Sequence, residues 1–161
     1  ASNLRAMTER ELMSEALRLA TASAATDGGP FAALVVRDGE VLARGANRVV
    51  ADRDPTAHAE VVALRAAAHG ERTHDLSGTL LVTTCEPCPM CLGAAWWARV
   101  DAVLFAAGRE DASAAGFDDA ALYAEVAAPL AGRRLPVRRV DVPDPGAPFA
   151  AWQANPNRVP Y

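Results

Sequence analysis

Two short stretches carry the most specific pattern in this sequence: His58-Ala59-Glu60 and Pro87-Cys88-Pro89-Met90-Cys91. An imidazole and two thiolates give a zinc ion three of its four tetrahedral ligands and leave the last position open to water. An open position is typical of catalytic zinc sites, whereas structural sites are closed. The sequence therefore predicts one zinc ion per chain, held by His58, Cys88 and Cys91.

Glu60 lies two residues after the predicted histidine ligand and is not expected to bind the ion itself. Two thiolates offset the charge of Zn²⁺, so a neighbouring base helps to form hydroxide from the bound water. Glu60 fits that role as a proton shuttle, which takes the water's proton, protonates the attacked ring nitrogen and later protonates the departing ammonia. The combined pattern H-x-E…P-C-x-x-C is typical of zinc deaminases.

Cys85 adds a third cysteine to the cluster and leaves other metal arrangements open. An odd, tightly spaced cysteine count favours metal binding over disulfide formation. Three arrangements are open: Cys85 takes the place of Cys88 or Cys91 as a ligand, it closes a four-ligand structural site, or it is a buried neighbour at the end of a strand. We expect the last of these. His69 and His74 follow a predicted helix, and we expect both to be exposed.

Working outward from these motifs, the pattern of apolar residues predicts alternating helices and strands. Helices are expected over 8–25, 54–69, 87–99 and 117–128, and a short helical turn around Trp152. Strands are expected over 31–37, 41–46, 79–84, 102–107 and 136–142, the first two joined by a turn at Asp38-Gly39. This order favours an α/β fold: a three-layer α/β/α sandwich around a five-stranded mixed sheet.

The composition limits the classes of protein to which the chain can belong. Its 161 residues suit a single domain, and 51% hydrophobic with 22% charged residues is ordinary for a globular protein. Apolar runs are short and no basic, apolar leader follows Ala1-Ser2-Asn3, so we expect a cytoplasmic protein with no membrane partner. The net charge of -4 argues against nucleic acid as a partner.

The chain resembles the cytidine-deaminase superfamily, and within it the bacterial guanine deaminases. The resemblance runs from about residue 12 to the end and is densest over 54–61, 84–94, 97–99, 115–119 and 148–152. The zinc motif is specific for the superfamily, while the Gly-Phe-Asp-Asp segment before residue 120 and the tail are similar to guanine deaminases. The chain departs from the pattern at Arg109-Glu110 and at Ala150, and its tail contains Pro156 and Pro160.

The resemblance implies roles for further residues. Asn47 would hydrogen-bond the base, the Ala59 backbone would orient it, and Asp119 would act as a second proton carrier beside the leaving amine. The aromatic residues implied in substrate binding are Phe31, Trp97, Phe117 and Tyr161. The resemblance also implies a homodimer in which the tail, residues 143–161, is swapped so that Tyr161 closes the neighbour's pocket.

Plainer structural roles stay open for several of these residues. Asp118 and Asp119 are also suited to capping a helix, because aspartate is a favoured N-cap residue. Asn47 also suits a turn, and Tyr161 also suits a frayed terminus. Phe31 is equally compatible with a place in the core.

The expected function is zinc-dependent hydrolytic deamination of a free base, with guanine giving xanthine and ammonia as the first choice. Cytosine, an aminotriazine, or another base or nucleoside are alternative substrates. A tRNA adenosine deaminase shares the zinc motif but needs a basic surface and an open mouth. A zinc-stabilised interaction module without activity is the alternative from another class, and it would give Glu60 no role.

Overall fold

The structure is a computed structural model that describes residues 5–117 and 119–161. Its centre is a mixed sheet of four strands in the order β2-β1-β3-β4. The strands are β1 (Ala32–Arg37), β2 (Glu40–Ala46), β3 (Leu80–Cys85) and β4 (Ala102–Ala107). β1 runs antiparallel to both β2 and β3, and β3 runs parallel to β4.

Seven α-helices are described around this sheet. They are α1 (Glu9–Ala24), α2 (Val49–Asp52), α3 (Ala59–Glu71), α4 (Pro89–Ala98), α5 (Arg109–Ala114), α6 (Asp119–Ala127) and α7 (Ala147–Ala154), with a 3-10 turn at Leu130–Gly132. α1 begins with the predicted capping box, in which Thr8 and Glu11 bond each other's backbone N–H.

Alternating side chains of the central strands face two separate cores. Leu34 and Val36 of β1 pack with Leu12 and Ala16 of α1 on one face. On the other face, Ala33 and Val35 pack with α3 and α4. Because successive residues of a strand point to opposite faces, one strand serves both cores. The predicted three-layer α/β/α arrangement is confirmed.

The predicted fifth strand is wrong, and the sheet has four strands. Residues 136–142 form no regular element, and Val140 is 69% exposed. A strand needs a neighbour to pair its backbone groups, and this segment, flanked by Pro136 and Pro143, is in no ladder of the described chain. Its apolar residues resemble those of a strand, but none of the described strands pairs with it.

The predicted start of the helix near residue 54 is also wrong. Asp54 accepts hydrogen bonds from the backbone N–H (2.8 Å) and hydroxyl (2.7 Å) of Thr56, which closes a turn instead. The helix α3 begins only at Ala59. Pro55 therefore lies in the turn, and His58 lies at the helix boundary.

Near the C-terminus, α7 confirms the predicted helical segment around Trp152. The expectations for Ala1-Ser2-Asn3 and for Asp118 lie outside the described residues. Among the helices of 5–117 and 119–161, none is both long and apolar enough to cross a bilayer.

Candidate active site

The first half of the motif lies at the N-terminus of α3. His58 is the N-cap residue with extended backbone (φ -65°, ψ 152°), and Glu60 lies in the first turn. Inside a helix, residues two apart point roughly 200° away from each other. Because His58 lies outside the helix, its ring and the Glu60 carboxylate reach the same site.

The second half lies at the N-terminus of α4. Cys88 is the N-cap residue, Pro89 occupies the first helical position, and Cys91 lies in the first turn. Proline fits there because the N–H it lacks has no partner within the helix. Both thiols are buried, and the positive end of the helix dipole favours their thiolate forms.

The three predicted ligands come together with the spacing that zinc requires. His58 Nδ1 lies 3.6 Å from Cys88 Sγ and 3.5 Å from Cys91 Sγ, and the two sulfurs are 3.6 Å apart. Zn–S bonds of about 2.3 Å and Zn–N bonds of about 2.0–2.1 Å place tetrahedral ligands about 3.6–3.8 Å apart. The residues therefore fit a zinc ion.

The two thiols bind their protons unequally. The hydrogen bond from Cys91, helped by His58, lowers the pKa of the Cys88 thiol to about 4. The same contact with Cys88, together with burial, raises the pKa of the Cys91 thiol. The hydrogen bond to Cys88 also raises the pKa of His58. A zinc ion must displace the remaining protons, so binding is coupled to proton release.

Glu60 lies against this cluster without being one of its ligands. Its side chain is buried, and burial raises its pKa. Thr83 Oγ1 donates to Glu60 Oε1 at 3.0 Å, and Cys91 Sγ lies 3.4 Å from Glu60 Oε2. A carboxyl group that is held in place and has a raised pKa is suited to accepting and returning a proton.

A cavity of about 380 Å³ opens onto the cluster, a volume within the usual range for small-molecule sites. Seven predicted site residues line it: Phe31, Asn47, His58, Glu60, Cys88, Phe117 and Asp119. The Phe31 and Phe117 rings meet edge to face, with centroids 4.8 Å apart. Asn47 Oδ1 accepts a hydrogen bond from the Val49 N–H at 3.2 Å, which leaves its amide N–H groups as donors.

Four other predicted site residues lie outside this lining, and the ligand Cys91 in the first turn of α4 is one of them. Ala59 is fully buried, with its carbonyl packed beneath Gly45. Trp97 and Tyr161 are 62% and 71% exposed, and their rings lie 6.1 Å apart. Trp97 lies six residues beyond Cys91 in α4, about 9 Å further along the helix at 1.5 Å per residue, so a single chain does not bring it to the cavity.

Sequence reasoning missed several residues that line the cavity: Asp27, Gly28, Val49, Val50 and Glu86. Glu86 immediately precedes the second motif, so its position there was a usable signal. Asp27 lies in the loop between α1 and β1, and only the fold brings it to the site. Arginine and lysine are absent from the described lining, so its charged side chains are mainly carboxylates.

Cys85 also lines the cavity but is not part of the ligand cluster. Its Sγ lies 3.7 Å from the Gly108 carbonyl, to which it donates. The candidate metal group among the described residues contains His58, Cys88 and Cys91 alone. His69 and His74 are both exposed, as expected.

Several known proteins are similar to the chain over most of its length. Guanine deaminase from Bacillus subtilis (strain 168) is 46% identical over 134 residues, which cover 83% of this chain and 86% of the relative. The solved structure of guanine deaminase from Bacillus subtilis superposes with a TM-score of 0.93 at 43% identity, covering 96% and 99% of the two chains.

Two further relatives are less similar. A solved structure of guanine deaminase from Nitrosomonas europaea has a TM-score of 0.68 at 43% identity, covering 73% of this chain and 68% of its own. The tRNA-specific adenosine deaminase from Haemophilus influenzae is 34% identical over 125 residues, 74% of this chain and 72% of the relative.

A family profile matches the part of the chain that holds the whole ligand cluster. The profile describes the cytidine and deoxycytidylate deaminase zinc-binding region and spans residues 7–107. That span includes both helix N-termini, the sheet between them and the residues that hold Glu60 in place. By this match the chain belongs to the zinc-binding cytidine and deoxycytidylate deaminase family.

Proposed function

We propose that the chain is a zinc-dependent aminohydrolase that deaminates a free nucleobase, converting guanine to xanthine and ammonia. The observation that carries this proposal is a three-donor cluster with zinc spacing, which opens onto a cavity beside a buried carboxylate. The choice of guanine is supported by the similarity, over nearly the whole chain, to guanine deaminase of Bacillus subtilis.

His58, Cys88 and Cys91 would hold the zinc ion. When bound, zinc supplies Lewis acidity that makes a water molecule nucleophilic near neutral pH. Glu60 accepts a proton and delivers it to the ring nitrogen, then carries a proton to the leaving amine. The Thr83 hydroxyl holds one carboxylate oxygen of Glu60, which keeps the other oxygen directed at the ligand cluster.

The cavity residues bind and orient the base in this proposal. Phe31 and Phe117 supply two perpendicular apolar surfaces for a flat ring. The Asn47 amide donates to an acceptor on the base edge, such as a carbonyl. Asp119 lies on the same lining and acts as the second proton carrier, and the Ala59 backbone helps to orient the base.

The charge of the cavity favours a free base over a nucleotide or an RNA. Asp27, Glu60 and Asp119 line it, and the fourth lining carboxylate, Glu86, is already paired with Arg109, so a phosphate group would meet carboxylates instead of available cations. Nucleic-acid-binding sites usually carry a basic surface instead. The tRNA-specific adenosine deaminase relative keeps the RNA alternative worth testing, but the cavity favours a small base.

We further propose that the single domain, 1–161, forms a homodimer in which residues 143–161 cross to the partner. The tail exposes large apolar side chains, including Phe149 at 72% and Tyr161 at 71%, and α4 exposes Trp96 and Trp97. Exposed apolar surface of this kind is typical of protein interfaces. In the dimer, Tyr161 and Trp97 complete the pocket. Three free cysteines also support a reducing, cytoplasmic location.

An ammonia-release screen tests the proposal. Purified, zinc-loaded chain is given guanine, adenine, cytosine, their nucleosides, an aminotriazine or tRNA in separate samples, and xanthine is identified by its ultraviolet spectrum. We expect guanine to turn over fastest and Glu60→Gln to abolish turnover with zinc content unchanged. Turnover of cytosine or the aminotriazine without turnover of guanine would identify a different base as the substrate, and inosine formation in tRNA would favour the RNA alternative. An unchanged Glu60→Gln rate would refute the mechanism.

A further inference from the structure

A second set of contacts joins the loop between β3 and α4, residues 86–88 and here called the ligand loop, to the helices after β4. The proposed chemistry does not use the side chains that make these contacts. Arg109, the first residue of α5, lies with Nη2 3.0 Å from Glu86 Oε1. Its guanidinium carbon also lies 4.3 Å from the centroid of the Tyr123 ring, within the range of a cation–π interaction. Arg109 therefore contacts both the ligand loop and α6.

Tyr123 closes this set of contacts on the backbone of the ligand loop. Its Oη donates to the Pro87 carbonyl oxygen at 2.7 Å, and Pro87 immediately precedes the ligand Cys88. The loop is also fixed to the sheet, because the Glu86 N–H donates to the Ala107 carbonyl at 2.8 Å. We call Glu86, Arg109 and Tyr123 the ligand-loop clamp.

The clamp has a direct geometric relation to Asp119. Asp119 and Tyr123 are four residues apart in α6, so they lie on the same face of the helix. None of the residues of α6 is buried, so the helix is not held in place by a hydrophobic core. Its contacts with the ligand loop and Arg109, together with its packing against α4 and α5, hold the helix beside the cavity.

We propose that Arg109 and Tyr123 are positioning residues, which clamp α6 to the ligand loop and so hold Asp119 at the wall of the cavity. The inference rests on the proposed function, because it assigns the clamp to the proton carrier of that reaction. It also gives a role to Arg109, where the sequence departs from the pattern of the guanine deaminases. Glu86 serves as the anchor, and its charge is neutralised by Arg109.

A comparison of two backgrounds tests whether the clamp acts through Asp119. Tyr123→Phe removes only the hydroxyl and leaves the ring beneath Arg109. We expect it to lower kcat about tenfold in the wild-type background, with KM nearly unchanged. In an Asp119→Asn background we expect less than about a twofold effect, because the group being positioned is already gone. Arg109→Lys should recover part of the activity that Arg109→Gln loses.

Two measurements that do not depend on turnover accompany the kinetics. Amide hydrogen exchange of the 119–127 peptide should be faster in Tyr123→Phe and Arg109→Gln than in the wild type. Zinc content should be unchanged in both. Arg44→Gln is the matched control, because it removes an exposed 2.6 Å ion pair with Glu15 between β2 and α1. It should alter neither exchange in this peptide nor turnover.

The proposal is overturned if Tyr123→Phe lowers kcat by the same factor in both backgrounds, or if exchange in 119–127 is unchanged. Loss of zinc in Tyr123→Phe would also overturn it, because the clamp would then support the ligands instead of Asp119. If the wild type releases ammonia from none of the bases, the proposed function fails. The exchange measurement still decides whether Tyr123 and Arg109 fix α6.

Discussion

Gly45 lies in β2 directly against the first turn of α3, which carries the proposed catalytic machinery. A Cβ at this position would lie 2.2 Å from the Ala59 carbonyl oxygen and 2.6 Å from the Ala63 nitrogen. Both atoms belong to the backbone of α3, so no side-chain rotation relieves the contact. Real Cβ atoms essentially never come within 3.0 Å of a heavy atom from a non-neighbouring residue. Gly45→Ala must therefore move α3 away by about 1 Å.

That displacement has two calculable effects. Overpacking of a core costs about 1–3 kcal/mol of unfolding free energy. At about 2–4 °C per kcal/mol for a domain of this size, Tm should fall by about 2–12 °C. The same movement shifts His58 and Glu60 relative to Cys88 and Cys91, and a 1 Å misplacement can cost about 10²-fold in rate.

The assay compares Gly45→Ala in β2 with a control, Gly70→Ala in α3. Both variants are measured by thermal unfolding, zinc content and ammonia release. An added Cβ at Gly70 meets nothing within 4 Å, so this control should gain up to about 1 kcal/mol from helix propensity and keep full activity. A Gly45→Ala protein with the Tm and turnover of the wild type would refute the reasoning that the spacing between sheet and helix sets the site.

Three further predictions concern the site and the tail. Cys88→Ser should lose stoichiometric zinc by atomic emission while Cys85→Ser keeps it; equal zinc in both would exclude Cys88 as a ligand. Thr83→Val removes the hydrogen bond to Glu60 and should lower kcat about tenfold with zinc retained; an unchanged kcat would show that Thr83 does not hold the carboxylate. Deleting 143–161 should give an inactive monomer by light scattering, and an active, dimeric truncation would contradict the swapped tail.

The sequence was sufficient to identify the ligand cluster because its chemistry is local. Cys88 and Cys91 lie within one helical turn, and their spacing alone places both sulfurs on one side of α4. Glu60 lies two residues from His58, so fixing one nearly fixes the other. The convergence of the two halves needed only the expectation that both helices begin at the same edge of a sheet.

The errors arose where a local signal competes with tertiary pairing. Proline at position 55 is a common first helical residue, and the Asp54 carboxylate bonds the Thr56 N–H as an N-cap would. The turn is nevertheless not continued, because His58 has extended backbone and the helix begins only after it. Residues 136–142 have apolar residues suited to a strand, but a strand forms only where another strand's edge is available. Neither outcome can be seen in a short window of sequence.

Two other sets of contacts between distant residues have no signal in the sequence. The edge-to-face pair of Phe31 and Phe117 and the contacts of Arg109 with Glu86 and Tyr123 join segments that share no local pattern. Phe31 lies just before β1, which is antiparallel to β3 and so begins at the carboxyl edge of β3. The contacts of Arg109 depend on how the loops after β3 and β4 run beside each other at that edge. Parallel pairing of these strands, with Cys85 opposite Ala107, is what brings the loops together.

The way in which the two helices begin explains how the chain presents its ligands. N-cap positions are usually filled by serine, threonine, aspartate or asparagine, whose side chains bond the free N–H groups of the first turn, and losing such a cap costs about 1 kcal/mol. His58 and Cys88 occupy these positions and make no such bond. Their side chains are directed at each other instead, so both helices lack the stabilisation that an N-cap hydrogen bond provides. Zinc binding offsets that loss because it is coupled to folding. The metal therefore stabilises the two helix N-termini that position Glu60 and Cys91, and the fold and the reaction depend on the same ion.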